Sequence, residues 1–348
     1  MKNVLLIQLF ILSFGFNNIA QNKPAQIDSL LYGYYTQGEL NGAVLVSQSG
    51  KAIYKNAFGI ANSNWDIKNT IDSKFNLFSI TKQFTAVLVL QLVDEGKVEL
   101  NKTISDYLGY YREDNGRKIT IHHLLTHSHG IPDVDYKKLP MPIYLNTEDF
   151  ITKYASGDLE FEPGIKTKYS TAAGYTILSA IIEKVTKKSY ELVLNERILQ
   201  PLKMTNSGFI HYNKSVSKMT TSYLNDLTTI RLQFFMFDCN GSSSIYSTIE
   251  DLFLYSKGFE DNKLLSSETE ALLFSPNTPM DKSYLSYGGN YANFTLNEKD
   301  IEMVGISGGG RNLLAMSLND TFFLAILNNI QCTKTDEIFY KILEILYQ

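Results

Sequence analysis

The chain has 348 residues, of which 44% are hydrophobic and 20% are charged, a composition typical of a globular protein. A net charge of −4, with no lysine- or arginine-rich run, argues against a nucleic-acid-binding surface. The two cysteines, Cys239 and Cys332, have no histidine nearby and give no metal-binding motif. Sequence alone does not show whether they pair.

The first twenty residues have the pattern of a secretory signal peptide. A short basic start is followed by an apolar segment over residues 4–16 and by Ala20, a small residue suited to cleavage. The apolar segment is shorter than the roughly 17–25 residues that span a membrane. The pattern predicts cleavage after Ala20 and an exported, periplasmic or secreted protein without a transmembrane span. An uncleaved N-terminal anchor is the alternative.

Apolar periodicity and turn signals predict the elements that follow. A short helix precedes a hairpin of two strands and a loop region, helices dominate the middle of the chain, and strands return after Pro279. Strands at both ends predict an α/β (α+β) fold, in which helices flank one antiparallel sheet built from both termini. The expected domains are a sheet subdomain of residues 21–78 and 279–348 and a helical subdomain of residues 79–278. The predicted strands are 42–49, 52–58, 284–296, 301–306, 312–318 and 322–327, and the helices are 27–35, 79–95, 97–111, 120–126, 146–155, 171–186, 190–199, 248–259, 267–274 and 337–346.

A serine and a lysine three residues apart carry the main signal for catalysis. Ser79 stands before a long apolar helical pattern, and Lys82 falls one turn above it on the same helix face. A neutral lysine amine can remove the proton of a serine hydroxyl, and a helix N-terminus favours developing negative charge. Ser215 and Lys218 repeat the spacing in a polar stretch, so the motif is informative only because the helix after Ser79 is apolar nearly all round. An N-cap serine followed by a solvated lysine is the structural alternative.

Two further segments offer the groups that a serine–lysine pair needs. Tyr169 precedes a predicted helix and has lysines nearby, whose positive charge favours the ionised phenol of a proton carrier. Residues 305–310, Gly-Ile-Ser-Gly-Gly-Gly, lie at a strand end, where glycines let a substrate reach backbone N–H groups. A structural tyrosine and a glycine-rich hairpin turn are the alternatives.

Four of the five histidines lie within eight residues: His122, His123, His127 and His129. His123 and His127 have the i, i+4 spacing of zinc sites, which raises the hypothesis of a zinc hydrolase. No glutamate stands at the Glu-x-x-His position and no third ligand is obvious. A structural role for the histidines in a buried turn is therefore favoured.

From about residue 40 to 346 the chain resembles the serine β-lactamase-related family, which includes class C β-lactamases, penicillin-recognising D-peptidases and family VIII-type esterases. The resemblance implies a β-lactamase/transpeptidase-like fold, Ser79 as the acylated nucleophile, Lys82 as its proton partner and Tyr169 as the base. It also implies an oxyanion hole from the backbone N–H groups of Ser79 and Gly309, and no cofactor or metal. It rests on segments in the family's order: Ser79-Ile80-Thr81-Lys82, the segment 124–132 (Leu-Leu-Thr-His-Ser-His-Gly-Ile-Pro), 163–186 with Tyr169-Ser170, 199–204 and 245–252.

Two family motifs are altered here. The second motif is usually Tyr-x-Asn, and Thr171 at its third position lacks the paired donor and acceptor of an amide. The third motif usually begins with lysine or histidine, but here it is Ile306-Ser307-Gly308, and isoleucine cannot bind a substrate carboxylate. Thr171 and Ser307 are the side chains expected to contact the substrate. Arg311 is a candidate for the missing charge, with a solvent-facing arginine as the alternative.

The sequence therefore predicts an exported serine hydrolase that cleaves an ester or amide through an acyl-enzyme on Ser79. The expected partner is a small-molecule or peptide substrate, with cell-wall peptides among the candidates. A true β-lactamase or DD-peptidase is disfavoured, because a site that loses a polar partner can lose orders of magnitude in discrimination. A catalytically weak relative that binds cell-wall peptides or a protein partner is the alternative. The sequence does not indicate an oligomeric state.

Overall fold

The computed structural model describes residues 22–134, 146–211, 213–224, 226–230, 241–280, 283–331 and 334–348. Residues 1–20 and both cysteines lie outside these ranges, so the signal peptide stays a prediction and the question whether Cys239 and Cys332 pair stays open. Within them, no helix is long and apolar enough to cross a membrane.

The described ranges contain strands from both ends of the chain and helices mainly between them. The strands are β1 (Gly42–Gln48), β2 (Lys51–Ala57), β3 (Ile60–Asn62), β4 (Ile67–Lys68), β5 (Phe75–Asn76), β6 (Gly208–Phe209), β7 (Ile245–Ser247), β8 (Thr278–Pro279), β9 (Tyr284–Ser286), β10 (Gly289–Leu296), β11 (Lys299–Gly308), β12 (Asn312–Ser317) and β13 (Phe323–Asn328). The helices are α1 (Lys23–Thr36), α2 (Thr81–Asp94), α3 (Ile104–Tyr107), α4 (Glu113–Gly116), α5 (Ile121–Leu125), α6 (Thr147–Tyr154), α7 (Ala173–Thr186), α8 (Tyr190–Leu194), α9 (Ile249–Glu260), α10 (Ser267–Phe274) and α11 (Thr335–Leu346).

Eight strands form one antiparallel sheet in the order β2-β1-β13-β12-β11-β10-β9-β8. The first and last thirds of the chain meet where β1 pairs with β13, the second and third strands from the β2 edge, and Val44 lies opposite Ile326. Both strands are buried along nearly their whole length, because the sheet is covered on both faces. This confirms the predicted antiparallel sheet built from both termini and flanked by helices. The boundaries of the two subdomains stay a prediction.

Each face of the sheet has its own apolar core. On one face, α1 and α11 pack against the sheet, with Ile27 and Ile342 in the same cluster as Val44. On the other face, Leu45 shares a cluster with Phe84 and the rest of the helical region. Apolar residues of alternating orientation along β1 therefore serve both cores.

Helix α2 runs through the core that lies between the sheet and the helical region. Eleven of its fourteen residues are buried, and Gly96, at φ +65°, follows its end. This confirms the expectation of a buried helix after Ser79. It also fixes one wall of the site, since a helix packed on all sides holds its first turn in place.

Three local predictions were wrong. The segment 97–111, predicted as one helix, is helical only at Ile104–Tyr107. Residues 284–296 form β9 and β10 rather than one strand, because the chain turns at Gly288, which has φ +73° and lies against the start of α2. A Cβ at position 288 would lie 2.7 Å from the Cα of Gln83. The segment 59–74, predicted as loop, contains β3 and β4, which close around a 3₁₀ turn at Ser63–Trp65.

Candidate active site

Ser79 lies in a 3₁₀ turn, Phe78–Ile80, that leads directly into α2. Phe78 has φ +49°, a conformation that is uncommon for any residue with a side chain and costs about 1–3 kcal/mol. The backbone N–H of Phe78 donates to Oδ1 of Asn76 (2.8 Å), and the guanidinium of Arg311 lies 5.5 Å from the ring centre. A strained residue held by its neighbours thus precedes Ser79, the predicted nucleophile, and the sequence carries no sign of it.

The structure brings together the three residues predicted to carry the chemistry. The Nζ of Lys82 donates to Oγ of Ser79 (3.1 Å), and the hydroxyl of Tyr169 donates to the same Oγ (2.9 Å). Lys82 is buried, and its Nζ also donates to the carbonyls of Thr171 (2.8 Å) and Ser242 (3.1 Å). These three acceptors fix the direction of the lysine amine. The Ser242 carbonyl is a site group that sequence reasoning missed.

The segment that follows α5 holds the second motif in place through His127. Nδ1 of His127 accepts the backbone N–H of Ser170 (3.1 Å). Its ring lies 4.6 Å from the ring of Tyr169 and 5.3 Å from that of Tyr175, at tilts of 34° and 37°. Tyr169 is therefore packed on one side by an imidazole, although it is about half exposed.

Asp133 fixes the other end of the second motif. Its carboxylate accepts the N–H of Thr171 at Oδ1 (3.0 Å) and the hydroxyl of Thr171 at Oδ2 (2.6 Å). The predicted substrate-binding hydroxyl of Thr171 is thus engaged by Asp133, while the Thr171 carbonyl receives Lys82. Sequence reasoning did not single out Asp133, because one exposed aspartate after a turn carries no signal by itself.

The electrostatics of the buried turn keep His127 and His129 neutral. Burial, and then the charge of Lys82, hold the pKa of His127 well below its ordinary value. Burial, with a contribution from His123, lowers the pKa of His129 to about 3. A neutral imidazole can accept a hydrogen bond at Nδ1, as His127 does from Ser170 and His129 does from Ile131 (3.0 Å).

The other two histidines of the cluster have separate partners. Nδ1 of His122 lies 2.7 Å from the hydroxyl of Tyr287, and Nδ1 of His123 accepts the N–H of Thr120 (3.2 Å). Nowhere in the described part of the chain do three histidine, cysteine or acidic side chains form a group that could hold a metal ion. The contacts favour the structural role over the zinc hypothesis.

The third motif runs against the turn that contains Ser79. A Cβ at position 308 would lie 2.1 Å from the carbonyl oxygen of Leu77, and one at position 309 would lie 2.9 Å from the ring of Phe78. The glycines therefore permit a close approach of backbone to backbone, and Gly309 takes φ +63° there. This geometry puts the predicted oxyanion group of Gly309 beside the residue that precedes Ser79.

The remaining side chains of that strand turn away from a substrate carboxylate. Ile306 is buried in the core on the α2 side of the sheet. Ser307 is exposed and pairs with Leu313, whose side chain lies on the α11 side of the sheet. Both residues line a groove of about 310 Å³ beside Tyr340 of α11. Arg311 is fully buried and donates to the carbonyls of Tyr223 (3.3 Å) and Asn329 (3.2 Å). It points neither to solvent nor to the position of the missing cation.

The second Ser-x-x-Lys sequence has a surface setting. Ser215 is exposed, and the Nζ of Lys218 pairs with Asp72 at 2.9 Å. The spacing alone therefore does not make a site, as the sequence argument expected.

The fold, together with Ser79 hydrogen-bonded to Lys82 and Tyr169, defines the class of the protein as a serine hydrolase of the β-lactamase type. The Beta-lactamase family profile matches residues 16–345, and the chain belongs to that family. A relative whose name places it among penicillin-binding proteins, PbpX of Bacillus subtilis (strain 168), is 24% identical over 342 residues. That match covers 94% of this chain and 81% of PbpX.

Two solved structures illustrate the range of proteins with this fold. D-amino acid amidase from Ochrobactrum anthropi SV3, complexed with L-phenylalanine amide, superposes with a TM-score of 0.79 at 17% identity, covering 93% of this chain and 98% of that one. EstCE1, described as a hydrolase with promiscuous acyltransferase activity, has a TM-score of 0.78 at 19% identity, covering 94% and 99%. At this identity the likeness shows the shared fold.

Proposed function

We propose that the protein is an exported hydrolase that cleaves an ester or amide through an acyl-enzyme on Ser79. The observation that carries the proposal is the convergence of Lys82 Nζ and Tyr169 OH on Ser79 Oγ, at 3.1 and 2.9 Å. Both groups are within the distance that proton transfer requires. An amidase and a hydrolase with promiscuous acyltransferase activity share this fold and support the choice of reaction.

Acylation and deacylation use the same three groups. Ser79 Oγ bonds to the carbonyl carbon while its proton passes to the Lys82–Tyr169 pair, and the pair returns a proton to the leaving oxygen or nitrogen as that bond breaks. Water then attacks the acyl-enzyme, gives a proton to the pair, and the acid product leaves as Ser79 is reprotonated. The carbonyl oxygen is stabilised by the backbone N–H groups of Ser79 and Gly309, supported by the contact of Gly309 with Phe78.

A covalent probe tests the proposal directly. Incubation with a fluorophosphonate is expected to add the probe mass at Ser79, and hydrolysis of p-nitrophenyl acetate is expected to fall by about 10³-fold or more in Ser79→Ala. Ser215→Ala is the matched control, because it removes the serine of the other Ser-x-x-Lys sequence at the surface. Turnover that survives in Ser79→Ala, or labelling elsewhere, contradicts the proposal.

The altered second and third motifs favour one alternative, a weak enzyme that binds cell-wall peptides or a protein partner. Ile306 is buried, and the hydroxyl of Thr171 donates to Asp133, so neither side chain offers the substrate contact expected of the family's motifs. Peptide binding by wild type and Ser79→Ala alike, with no hydrolysis by either, is the outcome that selects this alternative.

Export is proposed from the N-terminal pattern alone. Mass spectrometry of the mature protein, recovered from the culture medium or periplasm, is expected to show a chain that begins after Ala20. Recovery of the intact N-terminus in the membrane fraction selects the uncleaved anchor instead.

A further inference from the structure

Two cations of the described residues, Lys82 beside Ser79 and Arg311 beside Phe78, are both directed inwards. Lys82 is buried and donates to Ser79, Thr171 and Ser242. Arg311 is buried beside the Phe78 ring and donates to main-chain carbonyls. Neither is placed to bind a carboxylate that enters from solvent. Among the described residues, Asp133 presents an exposed carboxylate beside Thr171.

Hydrogen bonds through Thr171 connect Asp133 to Lys82 and Ser79. Its carboxylate is bonded to the N–H and hydroxyl of Thr171, whose carbonyl lies 2.8 Å from Lys82 Nζ, and Lys82 lies 3.1 Å from Ser79 Oγ. An ionised carboxylate has about four acceptor positions. Described groups occupy three of them: two on Oδ1, from Thr171 and the N–H of Val134 (3.1 Å), and one on Oδ2.

We propose that Asp133 is a specificity-determining residue that receives a protonated amine on the acyl part of the substrate. The preferred substrates are then esters or amides of acids that carry an ammonium group close to the reacting carbonyl, and substrates with a carboxylate there are rejected. The inference rests on the proposed function, since hydrolysis through Ser79 is its readout. A charge-assisted hydrogen bond to an exposed carboxylate is expected to change selectivity about tenfold or more.

A purely structural role for Asp133 makes a different prediction. Asp133 orients Thr171, and through it Lys82, so its loss can slow every substrate. That effect is the same whatever charge the acyl group carries. This general slowing cancels in the ratio of kcat/KM between two substrates of similar size and different charge, so the ratio reports charge recognition alone.

The experiment compares the phenyl esters of glycine, propionic acid and malonic acid (monoester) at about pH 6.5, where the glycyl amine is protonated. For wild type we expect kcat/KM in the order glycyl, propionyl, malonyl. In Asp133→Asn the glycyl-to-propionyl ratio is expected to fall at least tenfold. Asp106→Asn is the matched control, because Asp106 is also exposed and also accepts the N–H (2.7 Å) and hydroxyl (2.8 Å) of one threonine, Thr103. It should leave the ratio unchanged.

The outcomes distinguish the role of Asp133 from the proposed hydrolase function. A glycyl-to-propionyl ratio at or below one in wild type, or a ratio that Asp133→Asn does not lower, overturns the inference while leaving the hydrolase intact. If Asp133→Asn does not fold, wild type alone provides the test, because added salt screens the charge pair and should lower the ratio. Turnover of none of the esters, or turnover independent of Ser79, is the distinct result that removes the proposed function and this inference with it.

Discussion

The hydroxyl of Tyr169 donates to the Oγ of Ser79 across 2.9 Å, although 90 positions of sequence separate the two residues. The ring of Tyr169 is also 5.3 Å from the Nζ of Lys82, so the phenol contacts both other members of the site. Its position depends on the second motif, which His127 and Asp133 hold from one connecting segment.

Tyr169→Phe removes the oxygen proposed to transfer the proton and keeps the ring beside that of His127. We expect kcat for p-nitrophenyl acetate to fall by about 10²–10⁴-fold with little change in KM, because a proton carrier acts in the transition state. Steady-state kinetics provide the measurement. The control is Tyr32→Phe, which removes an exposed phenol on α1. Near-normal kcat in Tyr169→Phe would leave Lys82 as the one necessary base.

Lys82→Arg separates the charge of the lysine from its proton transfer. Arginine keeps a positive charge but does not give up a proton in proteins, and its planar guanidinium replaces an ammonium that donates to three acceptors. We expect acylation to slow at least 10²-fold in Lys82→Arg and in Lys82→Ala, followed by the rate of fluorophosphonate labelling. Rapid labelling of Lys82→Arg would show that only the charge matters.

The two glycines after the third motif provide a matched pair of variants. Gly309 and Gly310 have φ of +63° and +69°, so alanine costs about 1–2 kcal/mol of backbone strain at either position. Only at 309 does the new Cβ meet the Phe78 ring, at 2.9 Å, whereas the surroundings of position 310 are open to 4 Å. We expect Gly309→Ala to lower turnover about tenfold or more and to reduce thermal stability further than Gly310→Ala, which should retain turnover. Equal turnover in the two variants would show that the position of Phe78 does not affect catalysis.

The sequence predicted the parts of this molecule that depend on local pattern. The apolar helix after Ser79, the alternation along 301–306 and the capped helix at 267–274 each follow from periodicity and end signals, and the structure has α2, β11 and α10 there. The proximity of Ser79 and Lys82 is also local, because residues three positions apart on a helical turn lie on the same face. Tyr169 is a candidate from its place before a helix and near lysines, but only the family's motif order relates it to Ser79, since their proximity has no local cause.

The parts that the sequence did not predict depend on tertiary contacts. The positive φ of Phe78 is held by Asn76 and by packing against Gly309, residues more than 230 positions apart. Whether Arg311 faces solvent, substrate or the interior depended on the carbonyls of Tyr223 and Asn329, which only folding brings to it. Asp133 acquired its role in the same way, through Thr171.

His127 is expected to act on catalysis by positioning the second motif. His127→Ala leaves the buried N–H of Ser170 without its acceptor, at a cost of about 1–3 kcal/mol, and removes the ring beside Tyr169. His127→Asn keeps an acceptor near the Nδ1 position and tolerates the φ of +55° at this residue. We expect kcat to fall about 10²-fold in His127→Ala and clearly less in His127→Asn. The same loss in both variants would assign the effect to the ring alone.

The buried histidines predict a dependence of stability on pH. The pKa of His127 is held well below its ordinary value and that of His129 is lowered to about 3, both chiefly by burial, whereas an unfolded histidine titrates near 6.5. Below about pH 6.5 the unfolded chain therefore binds protons that the folded chain excludes. The stability from this source is complete above that pH and is lost as the pH falls towards the folded pKa. The slope is up to about 1.4 kcal/mol per pH unit for each histidine.

Urea unfolding at pH 7, 6 and 5 measures this loss. Wild type should become less stable at each step, and His129→Asn, which keeps an acceptor for the Ile131 N–H, should show a smaller slope. Burial raises the pKa of Asp251 and of Glu270, which act in the opposite direction as the pH falls. The difference between wild type and variant cancels those carboxyl groups and isolates the histidine. An identical slope in the two proteins would show that His129 is protonated at the same pH in the folded and unfolded chain, against the burial seen here.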